Sequence, residues 1–306
     1  MNSSVPTPSS GGPTLSSVRG LGTEAAPPRK SVPFSPVRVF LIAQNTLREA
    51  ARQKLLLFFG LLAVALVLGA RWFREFDFGA AELKFLADCG FGAMAFFGAV
   101  LVIAATAQLF FGELENRTVQ TLLAKPVWRA EFIFGKFAGV AALAGIFCLL
   151  QTVLLAAVLW TREAELIRAF PDAFASGATV HYANLVIAGT LQWLKLAVLG
   201  SLVLLVASFA QTQLFSVGAG FFILVIGHLQ SLAHDAYAGG AWSIGRLAGI
   251  FLVSIFPNFQ VFTLADSIAA ADAPSWTSVA RVVAYGFGYV VVSCGLAVFS
   301  FRRREI

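Results

Sequence analysis

Charged side chains are scarce in this chain, so the places where they gather are the first candidates for chemistry or recognition. The most informative gathering runs Glu113-Leu114-Glu115-Asn116-Arg117-Thr118, then residues 119–124, then Lys125-Pro126-Val127-Trp128-Arg129, with Gly135-Lys136 just beyond. Thr118 is a suitable N-cap, 119–124 is long enough for a short helix, and Pro126 ends it, because the residue before a proline disfavours the helical region. A short amphipathic helix flanked by charges of both signs is the kind of element that docks into a groove on another protein. An ordinary connection with solvated charges has the same composition, and spacing alone leaves both readings open.

Three other groups of reactive residues are weaker. Gly135-Lys136 resembles the end of a phosphate-binding loop, but G-x-x-x-x-G-K-[ST] requires glycine at 130 and Ser or Thr at 137, where Ala130 and Phe137 stand. Gly135-x-x-x-Gly139 offers a close approach for a second helix, including one from another copy of the chain. His228, His234 and Asp235 could form a polar site, but two histidines six apart do not share a helix face as i,i+4 metal ligands do, and neither H-E-x-x-H nor G-x-S-x-G occurs. Lys195 sits inside an apolar run, where a lysine costs about 2.5–3.5 kcal/mol at a spanning helix centre. Either the crossing begins near Gln192, so that Lys195 snorkels to the outer interface, or Lys195 belongs to a substrate pathway.

The elements that position these residues follow from composition. Hydrophobic residues make up 58% of 306 and charged residues 12%, about half the share of a soluble domain. Six apolar stretches are long enough to cross a hydrocarbon core about 30 Å thick: 55–72, 89–111, 137–160, 185–209, 213–232 and 282–301. The fold class is an all-α membrane protein. Residues 1–36 are rich in Ser, Pro, Gly and Thr without an apolar run, which predicts a disordered tail rather than a signal peptide; residues 37–306 form the membrane domain.

Residues 37–54 predict an amphipathic helix, with Arg38, Asn45, Arg48 and Arg52 on one side and Val37, Phe40, Leu47 and Ala51 roughly opposite. Such a helix lies in the interface with its arginines toward anionic headgroups, or else begins the first span. Residues 244–256 are short for a span and end at Pro257-Asn258; with 258–268 they predict a helical hairpin on the outer side before the last span. With the N-terminus inside, fourteen Lys and Arg lie on the cytoplasmic side and seven on the other, which favours cytoplasmic ends and an even number of crossings. The net charge of +6 therefore reads as topology, with no implied nucleic-acid partner. Cys89, Cys148 and Cys294 lie in or beside apolar runs at unrelated spacings and predict neither disulfides nor a metal site.

The stretch from Glu113 to Lys136 resembles the signature of ABC-2 type permeases: an acidic pair (Glu113, Glu115), a Thr-containing helix (Thr118), Pro126 and Arg129, then Gly135 and Lys136. Ile42-Ala43-Gln44-Asn45-Thr46-Leu47-Arg48-Glu49-Ala50 is similar to that family's interfacial helix, and Phe256-Pro257-Asn258-Phe259 resembles the segment before its last span. Asn116-Arg117-Thr118 departs from the usual Gly-Thr and supports no subfamily assignment. The resemblance, over about 37–306, implies the transmembrane subunit of an ABC transporter in the cell (inner) membrane, moving a substrate in the export direction toward which the family leans. It implies a separate ATPase subunit that binds ATP and Mg, so that this chain holds no cofactor of its own. It also implies a second permease chain. Glu113, Glu115, Arg117, Thr118, Pro126, Arg129, Gly135 and Lys136 would then couple to the ATPase. A secondary transporter or a membrane enzyme is the competing class, with Lys195 and the His228 group as its best supports.

Overall fold

The computed structural model describes residues 34–70, 80–115, 128–169, 171, 180–238, 256–263 and 275–302. They form seven helices: α1 (Pro36–Ala51), α2 (Lys54–Ala70), α3 (Ala80–Glu115), α4 (Arg129–Ala169), α5 (Tyr182–Phe209), α6 (Gln213–Ala238) and α7 (Trp276–Arg302). A single 3-10 turn, Phe259–Phe262, precedes α7. No strand occurs among the described residues. Arg117, Thr118, Pro126 and the loop helix expected at 119–124 lie outside the described residues, as do the tail before Phe34 and most of the expected outer hairpin.

Helix is the only way for these apolar segments to satisfy every backbone N–H and C=O within themselves in lipid. Five of the helices are long and apolar enough to cross a membrane, and six if α1 and α2 count as one span bent by 71°. The bend falls at Arg52-Gln53, where Arg52 N–H donates to Glu49 O and Gln53 N–H to Ala50 O, tightening the last turn of α1. The helix expected over 37–54 therefore stops at Ala51, and Lys54 already belongs to α2. α2 has 17 residues, about 25 Å of almost unbroken Leu, Ala, Val and Phe.

α3 and α4 contain the spans expected at 89–111 and 137–160 and run well beyond them. They have 36 and 41 residues, about 54 and 61 Å, roughly twice the hydrocarbon thickness. Hydropathy marks only the lipid-embedded middle. A charged turn in water does not end a helix, so α3 extends back through Glu82 and α4 forward through Arg168.

α5 is the central helix. In its apolar window 72% of residues are buried, against 22% for α6 and 28% for α7. Leu194, Val198 and Val203 of α5 pack with Met94, Val102 and Ile103 of α3 and with Phe259 and Phe262 of the 3-10 turn. α6 and α7 turn large side chains such as Leu214, Phe222 and Val291 outward.

Candidate functional site

The expected coupling residues converge at the end of the bundle that carries both α1 and the last turn of α7. The roots of the 116–127 segment are the ends of α3 and α4. Glu113, in the last turn of α3, accepts a hydrogen bond from Lys136 Nζ at 2.6 Å, and both side chains are buried. Lys136 Nζ also lies 5.9 Å from the centre of the Phe132 ring. Removing one member of such a pair strands the other charge, which costs about 3–5 kcal/mol.

Arg129 opens α4 and reaches across to the end of α7. Its Nη1 donates to the carbonyls of Phe301 (3.0 Å) and Arg302 (2.7 Å). The last carbonyls of a helix have no partner within it, so a guanidinium there supplies missing donors and complements the negative end of the helix dipole. Beneath it Phe110 of α3, Phe132 of α4 and Phe301 of α7 form an aromatic cluster, with Phe132 and Phe301 stacked at 5.6 Å.

Sequence reasoning passed over Glu131, which ties the junction to the start of the membrane domain. Its carboxylate is fully buried. One oxygen accepts from Trp128 N–H at 3.1 Å, which is the return half of a capping box at the start of α4. The other accepts from Ser35 N–H at 2.7 Å and pairs with Arg38 at 3.3 Å. A glutamate three residues after a helix start was the available signal; no Ser or Thr at 128 accompanies it.

α1 then runs along α4 over Gly135 and Gly139. A Cβ at Gly135 would stand 2.6 Å from the Ile42 side chain, and one at Gly139 2.6 Å from Thr46 Cβ and 2.9 Å from Ala43 O. The Gly135 and Gly139 pair, which could equally have met a helix of another chain, packs against α1 within the chain. Thr46 and Ala50 face α4 and are buried, Asn45, Arg48 and Arg52 are exposed, and Val37, Phe40 and Leu41 are exposed apolar residues in the first half of the helix. That arrangement suits a helix with one face on protein, one in lipid and one toward headgroups.

Of the predicted coupling residues, the structure brings together Glu113, Arg129, Gly135 and Lys136, with Arg38 joining through Glu131. Glu115 is the last residue of α3, and its side chain lies outside the described residues, together with Arg117, Thr118 and Pro126. Asn45, Arg48 and Arg52 are not part of the junction. Lys195 is elsewhere, buried in the middle of α5. Its Nζ is 3.0 Å from His228 Nε2 and 5.8 Å from the centre of the Phe259 ring. α6 and the 3-10 turn thus give the ammonium partners inside the bundle. His228 meets Lys195, whereas the side chains of His234 and Asp235 lie outside the described residues.

Comparison with curated proteins gives no match. Among protein-family models, that of the ABC-2 family transporter protein matches residues 40–306, from α1 to the end of the chain. This span contains the helical bundle from the second turn of α1 onward and all of the junction except Ser35 and Arg38. Seven helices, five or six of them able to cross a membrane, and a match over most of the sequence together make the chain a member of the ABC-2 transporter family and a multi-pass membrane permease.

Proposed function

We propose that this permease moves its substrate outward with energy from ATP bound, with Mg, by a separate ATPase subunit that docks on the segment between α3 and α4. The observation that carries this reading is the junction at that segment's roots. Glu113–Lys136, Arg129 on the end of α7, and Glu131 on Ser35 and Arg38 join α1, α3, α4 and α7 into one unit. A push on the 116–127 segment would be delivered to four elements at once. In this reading Glu113, Arg129 and Lys136 act by holding the docking segment in place, since each already has partners within the chain. Glu115, Arg117, Thr118 and Pro126 supply or shape the surface that meets the ATPase.

The excess of Lys and Arg supports cytoplasmic N- and C-terminal ends in the cell (inner) membrane, and contacts from Arg38 and Arg129 put both ends of the described chain on one face. A second permease chain completes the pathway. The test is purification from native membranes after mild crosslinking. ATP hydrolysis should accompany the chain, and it should be lost when Glu115 and Arg117 are both replaced by Ala while the permease stays in the membrane. Undiminished hydrolysis in that variant would rule out this docking surface. A cysteine at Arg303 should resist a membrane-impermeant reagent added outside.

A further inference from the structure

The Lys195 site has the make-up of a binding site, not merely of a tolerated buried charge. Gln192 and Lys195 lie three residues apart on one face of α5 and line a cavity of about 260 Å³ between α3, α5, α6 and the 3-10 turn. His228, Phe91 and Phe262 line it as well, and it opens past Asp88, Gly92 and Thr263, all exposed. Gln192 Nε2 is buried there without a hydrogen-bond partner among the described residues.

The hydrogen-bond directions can be assigned. His228 Nδ1 is 2.8 Å from the carbonyl of Leu224, which can only accept, so the proton sits on Nδ1. Nε2 is then an acceptor, and Lys195 is the donor across the 3.0 Å contact. Lys195 has three N–H groups and gives one to His228; no described carboxylate pairs with it. Lys195 and Gln192 therefore bring donors that lack acceptors among the described residues to one small space walled by aromatic rings, with Asp88 at its mouth. Buried donors without acceptors cost free energy, and an ionised oxygen acceptor is the group that best satisfies them.

We infer that this cavity binds the carboxylate or phosphate of an aromatic or amphiphilic anion, with Lys195 and Gln192 holding the oxygens and Phe91 and Phe262 the apolar body. The inference names a ligand class for the permease but does not depend on the ATPase, and its test measures binding to this chain alone. The anion could come from a membrane lipid or from water.

Purified full-length chain in a neutral maltoside detergent is titrated calorimetrically with benzyl phosphate and with benzyl alcohol. Benzyl phosphate should bind at least tenfold more tightly. Lys195→Met should abolish that preference while leaving benzyl alcohol binding unchanged, and Lys195→Arg should retain it. Equal affinities in the native chain, or a preference that survives Lys195→Met, would overturn the proposal. Lipid extracted from the native chain and from Lys195→Met then identifies the source. Phosphatidylglycerol retained in near-equal amount by the native chain alone points to the bilayer, and its absence, with benzyl phosphate still bound, points to a water-borne anion. Neither retained lipid nor benzyl phosphate binding would sink the site.

Discussion

The two longest helices, α3 and α4, are clasped at both ends by an acid on α3 and a base on α4, and the clasps are built differently. At one end Glu82 takes a two-point contact from Arg162, Nε to Oε1 at 2.6 Å and Nη2 to Oε2 at 3.1 Å, and Arg162 also donates to Glu165 at 2.8 Å. These side chains keep some contact with solvent, 14% for Arg162 and 15% for Glu82. At the other end Glu113 and Lys136 meet through one oxygen at 2.6 Å, with Lys136 only 2% exposed. A planar guanidinium fixes orientation by its fork and works in partial water, whereas an ammonium is a point charge on a flexible stem that draws its strength from burial. The first clasp suits a place where helices need only stay in register. The second puts a buried contact that water does not screen at the 116–127 roots, and Glu131 and Arg129 add α1 and α7 to it.

The comparison is broken most severely at Lys136. Lys136→Met should lower stability by about 3–5 kcal/mol by stranding Glu113, seen as a large fall in the thermal midpoint of the purified chain. Adding Glu113→Leu to Lys136→Met should restore most of that loss, because a buried ion pair replaced by apolar groups is often neutral. If the double variant is as unstable as the single one, the pair is not what holds the end. Gly139→Val is next. Its branched side chain would meet Thr46 and the Ala43 carbonyl, and forced repacking costs about 1–3 kcal/mol. Crosslinking between cysteines at Ile42 and Gly135 would report whether α1 lifts away.

Arg162→Gln should cost about 1 kcal/mol, in keeping with a partly solvated pair, and its effect should shrink at high salt; the Lys136 effect should not. Equal salt sensitivity would erase the contrast between the ends. The smallest effect on stability belongs to Arg48→Gln and Arg52→Gln, whose side chains are exposed. They should leave the thermal midpoint nearly unchanged and weaken association of α1 with anionic vesicles by about 1 kcal/mol per arginine.

Much of the architecture was legible in the amino-acid order, because lipid imposes a simple rule on long segments. The apolar middles of α2 to α7 and a polar side of α1 opposite an apolar one follow from run length and from 100° periodicity, whereas the Thr46 and Ala50 face of α1 against α4 does not. Helix ends were less legible. Glu82, Arg162 and Arg168 interrupt hydropathy but favour helix once in water, so windows stopped where the bilayer does. The site was legible in part. Glu113, Arg129, Gly135 and Lys136 stood out by type, but a sequence does not say that position 113 meets 136 or that 129 meets 301. Glu131 was passed over because half a capping box is a weak signal. Lys195 was noticed for its cost, while its partner His228 belongs to the next helix and to no pattern of spacing.

The burial of α5 bears on how the chain is made. Asn184, Gln192, Lys195 and Ser201 all face inward on this helix, and three of the four are uncommon inside a span. A nascent α5 facing lipid alone would hold these groups against hydrocarbon, with a penalty for Lys195 alone of about 2.5–3.5 kcal/mol. α3 and α4 are synthesised before it and can shelter one side, but the imidazole that receives the lysine arrives only with α6, 33 residues later. Lys195 therefore gains its imidazole partner only once α6 has followed α5 into the membrane.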